Sequence, residues 1–257
     1  MREVFHTLID GFSTPRNLKE LEWKVRDDVF GSWRRREIDE AIVQYYEIYD
    51  CHSSFYKDDC IYQAKNCFIK PGDVVLDLGA NIGIFTNFAA DKEASKIYSF
   101  EPIQQNFQML MMNRPGQCEA HRLAISDRDN KSIKISYEEE VNGGSTCEFV
   151  DDYDKQYNKS SVSQTIMTMT LDTLIDNKII ESPDFIKMDI EGAEYQAFRG
   201  ISDKNLEKTR CIAMEMHEGK IGKPKSQEIY NRLKRLGFQD FTLWNPQGSN
   251  MVWFWKD

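Results

Sequence analysis

The chain has 257 residues, with 33 Lys and Arg against 42 Asp and Glu, for a net charge of −9. With 40% hydrophobic and 29% charged residues it has material for a substantial core, which excludes a disordered chain. The acid excess argues against a broad basic surface for nucleic acid or anionic lipid, and Arg34-Arg35-Arg36 reads as a solvated helix face.

The opening MREVFHTLIDGF lacks the apolar stretch and small-residue cleavage site of a secretory signal. No run approaches the ~20 apolar residues needed to cross a bilayer. Apolar residues three and four apart predict helices within 17–50, interrupted at Gly31-Ser32. A further helix is predicted over Asp58–Phe68, ahead of the Lys70-Pro71-Gly72-Asp73 turn. Residues 1–69 are therefore expected to form a helical segment that lids the acceptor pocket or joins two copies as a homodimer. The cysteines Cys51, Cys60, Cys67, Cys118, Cys147 and Cys211 contain no C-x-x-C pair, and Cys51, His52, Cys60 and Cys67 match no standard zinc spacing. They read as reduced thiols of a cytoplasmic protein.

From Asp73 the pattern changes to alternating strand and helix, which predicts an α/β domain over 70–257 with a mostly parallel sheet. DVVLDLG is a continuous apolar run, as in a strand buried on both faces. Helix IGIFTNFAADKEA, strand KIYSFEP, helix IQQNFQMLMMNRP and a strand over Glu119–Ile125 follow. Within 128–170, KSIKIS and TIMTMT alternate like edge strands around polar connections, including the acidic run 138–140 and DDYDKQYNKSS. The rhythm resumes with strand DFIKMDIEG, helix AEYQAFRGI, strand RCIAMEMHE and helix SQEIYNRLKRLGF. DFTLW and MVWFWK around Asn245-Pro246-Gln247-Gly248 predict a closing hairpin and one antiparallel strand. Met109, Met111 and Met112 are expected to fill core, and Trp253 and Trp255 to share a face that packs on the sheet or on an appended helix.

The chemistry starts at Asp77-Leu78-Gly79-Ala80-Asn81-Ile82-Gly83, between the first buried strand and its helix. Gly79 permits a sharp turn, Gly83 a close approach, and the helix N-terminus through Ala80 and Asn81 offers N–H groups to a carboxylate or phosphate. Asp77 at the strand end can accept from a ligand ammonium. The spacing departs from the G-x-G-x-x-G of dinucleotide binders, which disfavours a nicotinamide oxidoreductase. Glu101 ends the second strand, where a carboxylate can accept from both ribose hydroxyls, with Pro102 and Ile103 where an adenine face would lie.

These residues, with Ala124-Ile125-Ser126-Asp127, Gly143-Gly144-Ser145, Leu171-Asp172 and Ile186-Lys187-Met188-Asp189-Ile190-Glu191-Gly192-Ala193-Glu194, resemble the FkbM family of S-adenosylmethionine-dependent methyltransferases. The resemblance runs from about Lys70 to Asp257 and does not include 1–69. It implies a class I, Rossmann-like methyltransferase fold and O-methylation of sugars, glycans or other small natural products. Carried onto this chain, it places Asp77, Gly79, Ala80, Asn81, Gly83, Glu101, Pro102, Ile103, Ala124 and Ile125 around S-adenosylmethionine.

With Asp77 and Glu101 on the cofactor, Asp189, Glu191, Glu215 and His217 are left to face the methyl donor at the carboxyl edge of the sheet. His217 has the pKa class suited to take a hydroxyl proton, and Asp189 or Glu215 can take it instead, or orient the imidazole or the acceptor. The same carboxylates and imidazole could instead hold magnesium or manganese. N-methylation on the same scaffold would need no such base, and a non-catalytic nucleoside-binding or scaffold protein is the remaining rival.

Overall fold

The computed structural model describes residues 62–64, 66–138, 161–243 and 250–256. The helices expected within 17–50, Gly143-Gly144-Ser145, the polar connection after Glu138, Trp244 and the turn at 245–248 lie outside the described residues.

The run at Val74–Leu78 forms β1, whose last four residues are buried, as a strand covered on both faces must be. Parallel to it on one side run β2 (Lys96–Phe100) and β3 (Cys118–His121), reached through helices α1 (Ile84–Asp91) and α2 (Gln104–Asn113). On its other side lie β7 (Phe185–Met188) and β8 (Cys211–Met216), also parallel. The closing strands β9 (Gln239–Leu243) and β10 (Asn250–Trp255) form an antiparallel hairpin whose second strand inserts beside β8. The order is β3-β2-β1-β7-β8-β10-β9, with β10 the antiparallel member. Connections leave β1 toward β2, whereas β7 is laid against its opposite flank. This reversal opens a crevice at the carboxyl ends of β1 and β7, where ligands of such sheets bind.

Two expectations about elements need correction. Residues 62–69 hold no helix among those described; Ala64 and Cys67 form an isolated antiparallel bridge. Cys67 and Ile69 are buried while Phe68 between them is exposed, the period of two that extended chain produces. Both pack on Val75, Phe85, Phe185, Cys211 and Trp253. The strand expected over Glu119–Ile125 is two strands. After β3 the chain leaves the main sheet, and β4 (Ala124–Ile125) joins β5 (Ser132–Glu138) and β6 (Ser161–Met169) in a second sheet of order β4-β6-β5. The break lets Ala124 share a small core with Ile103, Ile133, Ile135 and Ile166.

Both faces of the main sheet are covered. One carries Leu76, Leu78, Phe100, Met188, Ile212 and Met214 under α3 (Leu171–Asp176), α4 (Glu194–Arg199) and α7 (Lys223–Arg235). Trp253 and Trp255 pack on the other, with Cys67 and α1. Of the three methionines on α2, Met109 is core, whereas Met111 is exposed because it lies two positions round the helix. The Leu171-Asp172 pair is structural. Leu171 is wholly buried, and Asp172 Oδ1 accepts from Ser202 N, Ser202 Oγ and Asn205 Nδ2 at 2.8–2.9 Å, tying α3 to α5 (Asp203–Leu206).

Thr170 caps α3, its hydroxyl accepting from Thr173 N at 3.1 Å. Thr170→Ala is expected to lower unfolding free energy by about 1 kcal/mol in urea. An unchanged midpoint would show that Asp129, which accepts from Thr170 N and Thr173 Oγ1, holds the turn unaided.

Candidate active site

The turn after β1 needs a left-handed backbone at Gly79 (φ 76), Asn81 (φ 49) and Gly83 (φ 93). Its first two amides, Gly79 N and Ala80 N, both donate to Phe100 O at 3.0 Å, which ties the turn to the end of β2. A Cβ on Gly79 would fall into the backbone carbonyl of Asp189, so the turn lies directly over the end of β7. Gly83, immediately before α1, rests against Leu110 of α2.

Asp77 is wholly buried and points inward. Its Oδ2 accepts from Thr86 Oγ1 at 2.7 Å, and Oδ1 lies 3.2 Å from Lys187 Nζ. Both Asp77 oxygens are thus engaged within the protein, by Thr86 and Lys187, where a ligand ammonium was expected. That lysine, 3% exposed, donates to Gly79 O at 2.6 Å and lies 4.0 Å from Asp189 Oδ2. Burial works against its charge, but Asp77, Asp189 and Glu101 outweigh burial and raise its pKa. One ammonium thus joins the glycine turn, the first strand and the end of β7.

Glu101 is buried at the end of β2, with Oε2 accepting from Asn81 N at 2.9 Å and Oε1 from Ile103 N at 2.8 Å. Burial pushes its pKa up to about 7, against the two amides and Lys187, which favour the anion, and with Asp77, which opposes it. Each carboxylate oxygen keeps a second lone pair for an incoming hydroxyl. Pro102 is half-buried beside it. Ile103 and Ala124 belong to the small core and Ile125 to the main one.

Asp189, Glu191, Glu215 and His217 come together at the carboxyl ends of β7 and β8. Asp189 N donates to Leu78 O, and Asp189 Oδ2 accepts from Tyr62 OH at 2.8 Å. Burial, followed by the Asp189 charge and hydrogen bond, raises the Tyr62 pKa well above its usual value, so the hydroxyl stays protonated. The strand β8 stops at Met216, and His217 caps the short α6 (Glu218–Ile221). Even so, His217 Nε2 lies 3.8 Å from Glu215 Oε1 and 3.3 Å from Glu191 Oε2. Nδ1 is 2.9 Å from Oε1 of the wholly buried Glu194. Burial disfavours the imidazolium, yet the Glu194 hydrogen bond and charge, then Glu191 and Glu215, outweigh it and push the His217 pKa up to about 9. The ring is therefore charged at neutral pH.

Sequence reasoning did not assign Lys187, Glu194 or Tyr62 to this site. A lysine inside the otherwise apolar FIKM run was the available signal, since a doubly covered strand holds a charge only against partners.

The family model of the methyltransferase FkbM domain matches residues 77–239, from the aspartate of β1 to the start of β9. The chain belongs to the FkbM methyltransferase family. Within it, the chain is 26% identical over 214 residues to the 31-O-demethyl-FK506 methyltransferase FkbM of Streptomyces tacrolimicus, covering 73% of this chain and 80% of that protein. It is 27% identical over 150 residues to the hexuronic acid methyltransferase AglP of Haloferax volcanii, covering 57% of each. It is 22% identical over 215 residues to the AMB antimetabolite synthetase AmbE of Pseudomonas aeruginosa, covering 70% of this chain and 10% of AmbE. The crystal structure of an FkbM methyltransferase from Methylobacillus flagellatus superposes with a TM-score of 0.52 at 15% identity, over 98% of this chain and 58% of that one. The fold is thus the class I methyltransferase fold expected of the FkbM motifs. Among the described residues, no helix is long and apolar enough to cross a membrane.

Proposed function

We propose that this chain transfers a methyl group from S-adenosylmethionine to a hydroxyl of a sugar, glycan or other small natural product. The carrying observation is the contact of Gly79 with Asp189, which sets the glycine turn, to which Glu101 is bonded through Asn81 N, against the first member of the carboxylate–imidazole set. The names of the Streptomyces and Haloferax relatives, a 31-O-demethyl-FK506 methyltransferase and a hexuronic acid methyltransferase, support such an acceptor.

The residues fit the nucleoside. A backbone without Cβ at Gly79, the amides leading into α1 and the second lone pairs of Glu101 suit an amino-acid carboxylate and a ribose diol. Gly79, Ala80, Asn81, Gly83, Glu101 and Pro102 are the proposed cofactor residues, with Asp77 acting through Lys187. When bound, S-adenosylmethionine supplies a methyl on a positive sulfur that departs as a neutral thioether.

The chain's own task is to hold the acceptor in line and remove its proton, and orientation alone supplies ~7–11 kcal/mol of barrier lowering. Asp189, Glu191, Glu215 and His217 are the proposed catalytic set. His217 can serve as base only after giving up the proton that Glu194, Glu191 and Glu215 stabilise. The neighbouring Glu191 is an ionisable acceptor 3.3 Å away.

Calorimetry with S-adenosylhomocysteine against NAD tests the cofactor, with uptake of the former alone expected. Ribose hydroxyls need an ionised Glu101 as acceptor. With a free-protein pKa of about 7, affinity is expected to rise about tenfold from pH 6 to 8, with proton release on binding at the lower end. Glu101→Gln should weaken binding and flatten the profile. A flat wild-type profile would remove Glu101 from the ribose.

A further inference from the structure

We propose that Asp189, Glu215 and His217 form a binding site for a divalent cation of the manganese or magnesium class, which gathers two neighbouring oxygens of the acceptor. The inference rests on the hydroxyl-methylation reading and deepens it, since it specifies an acceptor with adjacent oxygens, a vicinal diol or a hydroxy acid.

One donor atom from each of the three residues lies within 4.8 Å of the others. Donors around one ion with bonds of ~2.0–2.2 Å sit up to ~4.4 Å apart, so small side-chain rotations close the set. Two carboxylates and one imidazole suit manganese better than a thiol-seeking metal.

Proximity of acids alone does not make such a site, and three further features point to an ion. First, the imidazole is held as ligating histidines are held. Its Nδ1 is 2.9 Å from Glu194 Oε1, a wholly buried carboxylate that also accepts from Gly192 N at 2.9 Å. That bond fixes the ring plane and leaves Nε2 to face Glu191 and Glu215. Second, Asp189 is itself braced, with Tyr62 OH donating to Oδ2. Third, Asp189 Oδ1 is buried and has no hydrogen-bond partner among the described residues. Tyr62 and the Lys187 ammonium, 4.0 Å away, serve the other oxygen of this carboxylate, whose side chain is 24% exposed, so Oδ1 is the atom left for a cation.

The ion's open positions draw in the acceptor and make its hydroxyl more acidic. Here His217 is a ligand, its Nε2 proton released to solvent as the ion takes its place, and the acceptor O–H proton passes to Glu191, the carboxylate of the set outside the ligand trio. The new O–C bond forms as the C–S bond breaks with its electron pair left on sulfur. Glu191 then returns its proton to solvent. Lys220, 2.8 Å from Glu191 Oε2, holds that carboxylate beside the site.

The test is a titration of the chelator-stripped full chain with Mn²⁺ alone, reading free Mn²⁺ by electron paramagnetic resonance, with S-adenosylhomocysteine uptake measured on the same samples. One site with a dissociation constant below about 1 mM is expected. His217→Ala, Glu215→Gln and Glu194→Gln should each weaken it about 10–100-fold while leaving S-adenosylhomocysteine binding within about twofold. Glu194→Gln keeps the shape of the support and guards against a His217→Ala chain that does not fold. Absence of a site below about 1 mM, or a site that His217→Ala and Glu215→Gln both leave unchanged, overturns the cation site alone. Loss of S-adenosylhomocysteine uptake by the wild-type chain instead overturns the methyltransferase reading beneath it.

Discussion

Lys187→Met is expected to lower unfolding free energy by about 3–5 kcal/mol, the cost of leaving one member of a buried ion pair without its partner. Asp77 is wholly buried, and its Oδ1 has the Lys187 ammonium at 3.2 Å as its charge partner; the Thr86 hydroxyl serves Oδ2 alone. Methionine fills a similar volume, so the loss reports charge rather than a cavity. Adding Asp77→Asn removes the stranded anion, and the double variant should recover at least half of the lost stability. Denaturation in urea reads both changes. A single variant within about 1 kcal/mol of wild type would mean that water or rearrangement satisfies Asp77. Because Lys187 Nζ also donates to Gly79 O, S-adenosylhomocysteine affinity should fall even in the stabilised double variant. That separates the turn-holding role of Lys187 from its contribution to the fold.

The same lysine shows where the sequence is legible and where it is not. Runs such as VVLDL, KIYSF and CIAMEM announce strands because a doubly covered strand must be apolar throughout, and all three lie where the alternation places them. The glycine turn and Glu101 are legible for a related reason, since φ above zero and an acid at a strand end leave marks in single residues. The direction of a buried carboxylate leaves none. Asp77 was free to point at a ligand or into the sheet, and only Thr86 and Lys187, nine and more than a hundred positions away, decide it. Glu194 was equally hidden, an acid in the first turn of α4 that reads as a helix-dipole residue until β8 brings His217 against it. The break between β3 and β4 depends on a second small core assembled from Ile103, Ile133, Ile135 and Ile166, whose existence no local pattern reveals.

Gly79→Ala should be the most damaging of the glycine substitutions, and a series of three isolates the reason. At Gly79 the backbone has φ 76, a conformation that costs an alanine roughly 1–2 kcal/mol. Its Cβ would also enter the carbonyl of Asp189 and press on Ile190 Cγ2 at 3.3 Å. That carbonyl cannot yield easily, because Asp189 N is bonded to Leu78 O just past the β1–β7 pairing. Strain and displacement together are expected to cost about 3 kcal/mol or more and to weaken S-adenosylhomocysteine binding over tenfold. At Gly83 the φ of 93 imposes similar strain, but the Cβ meets Leu110 Cδ1 at 2.9 Å, the end of a side chain that can turn aside. Gly83→Ala should therefore cost less. Gly116 has no heavy atom within 4 Å of its would-be Cβ, so Gly116→Ala should stay within about 0.5 kcal/mol of wild type. Urea midpoints in the order Gly79, Gly83, Gly116, with cofactor affinity lost mainly in the first, are the expected pattern. A Gly79→Ala chain as stable as Gly116→Ala would mean that the turn can move off β7, and the contact that sets the proposed cofactor site beside Asp189 would no longer be obligatory.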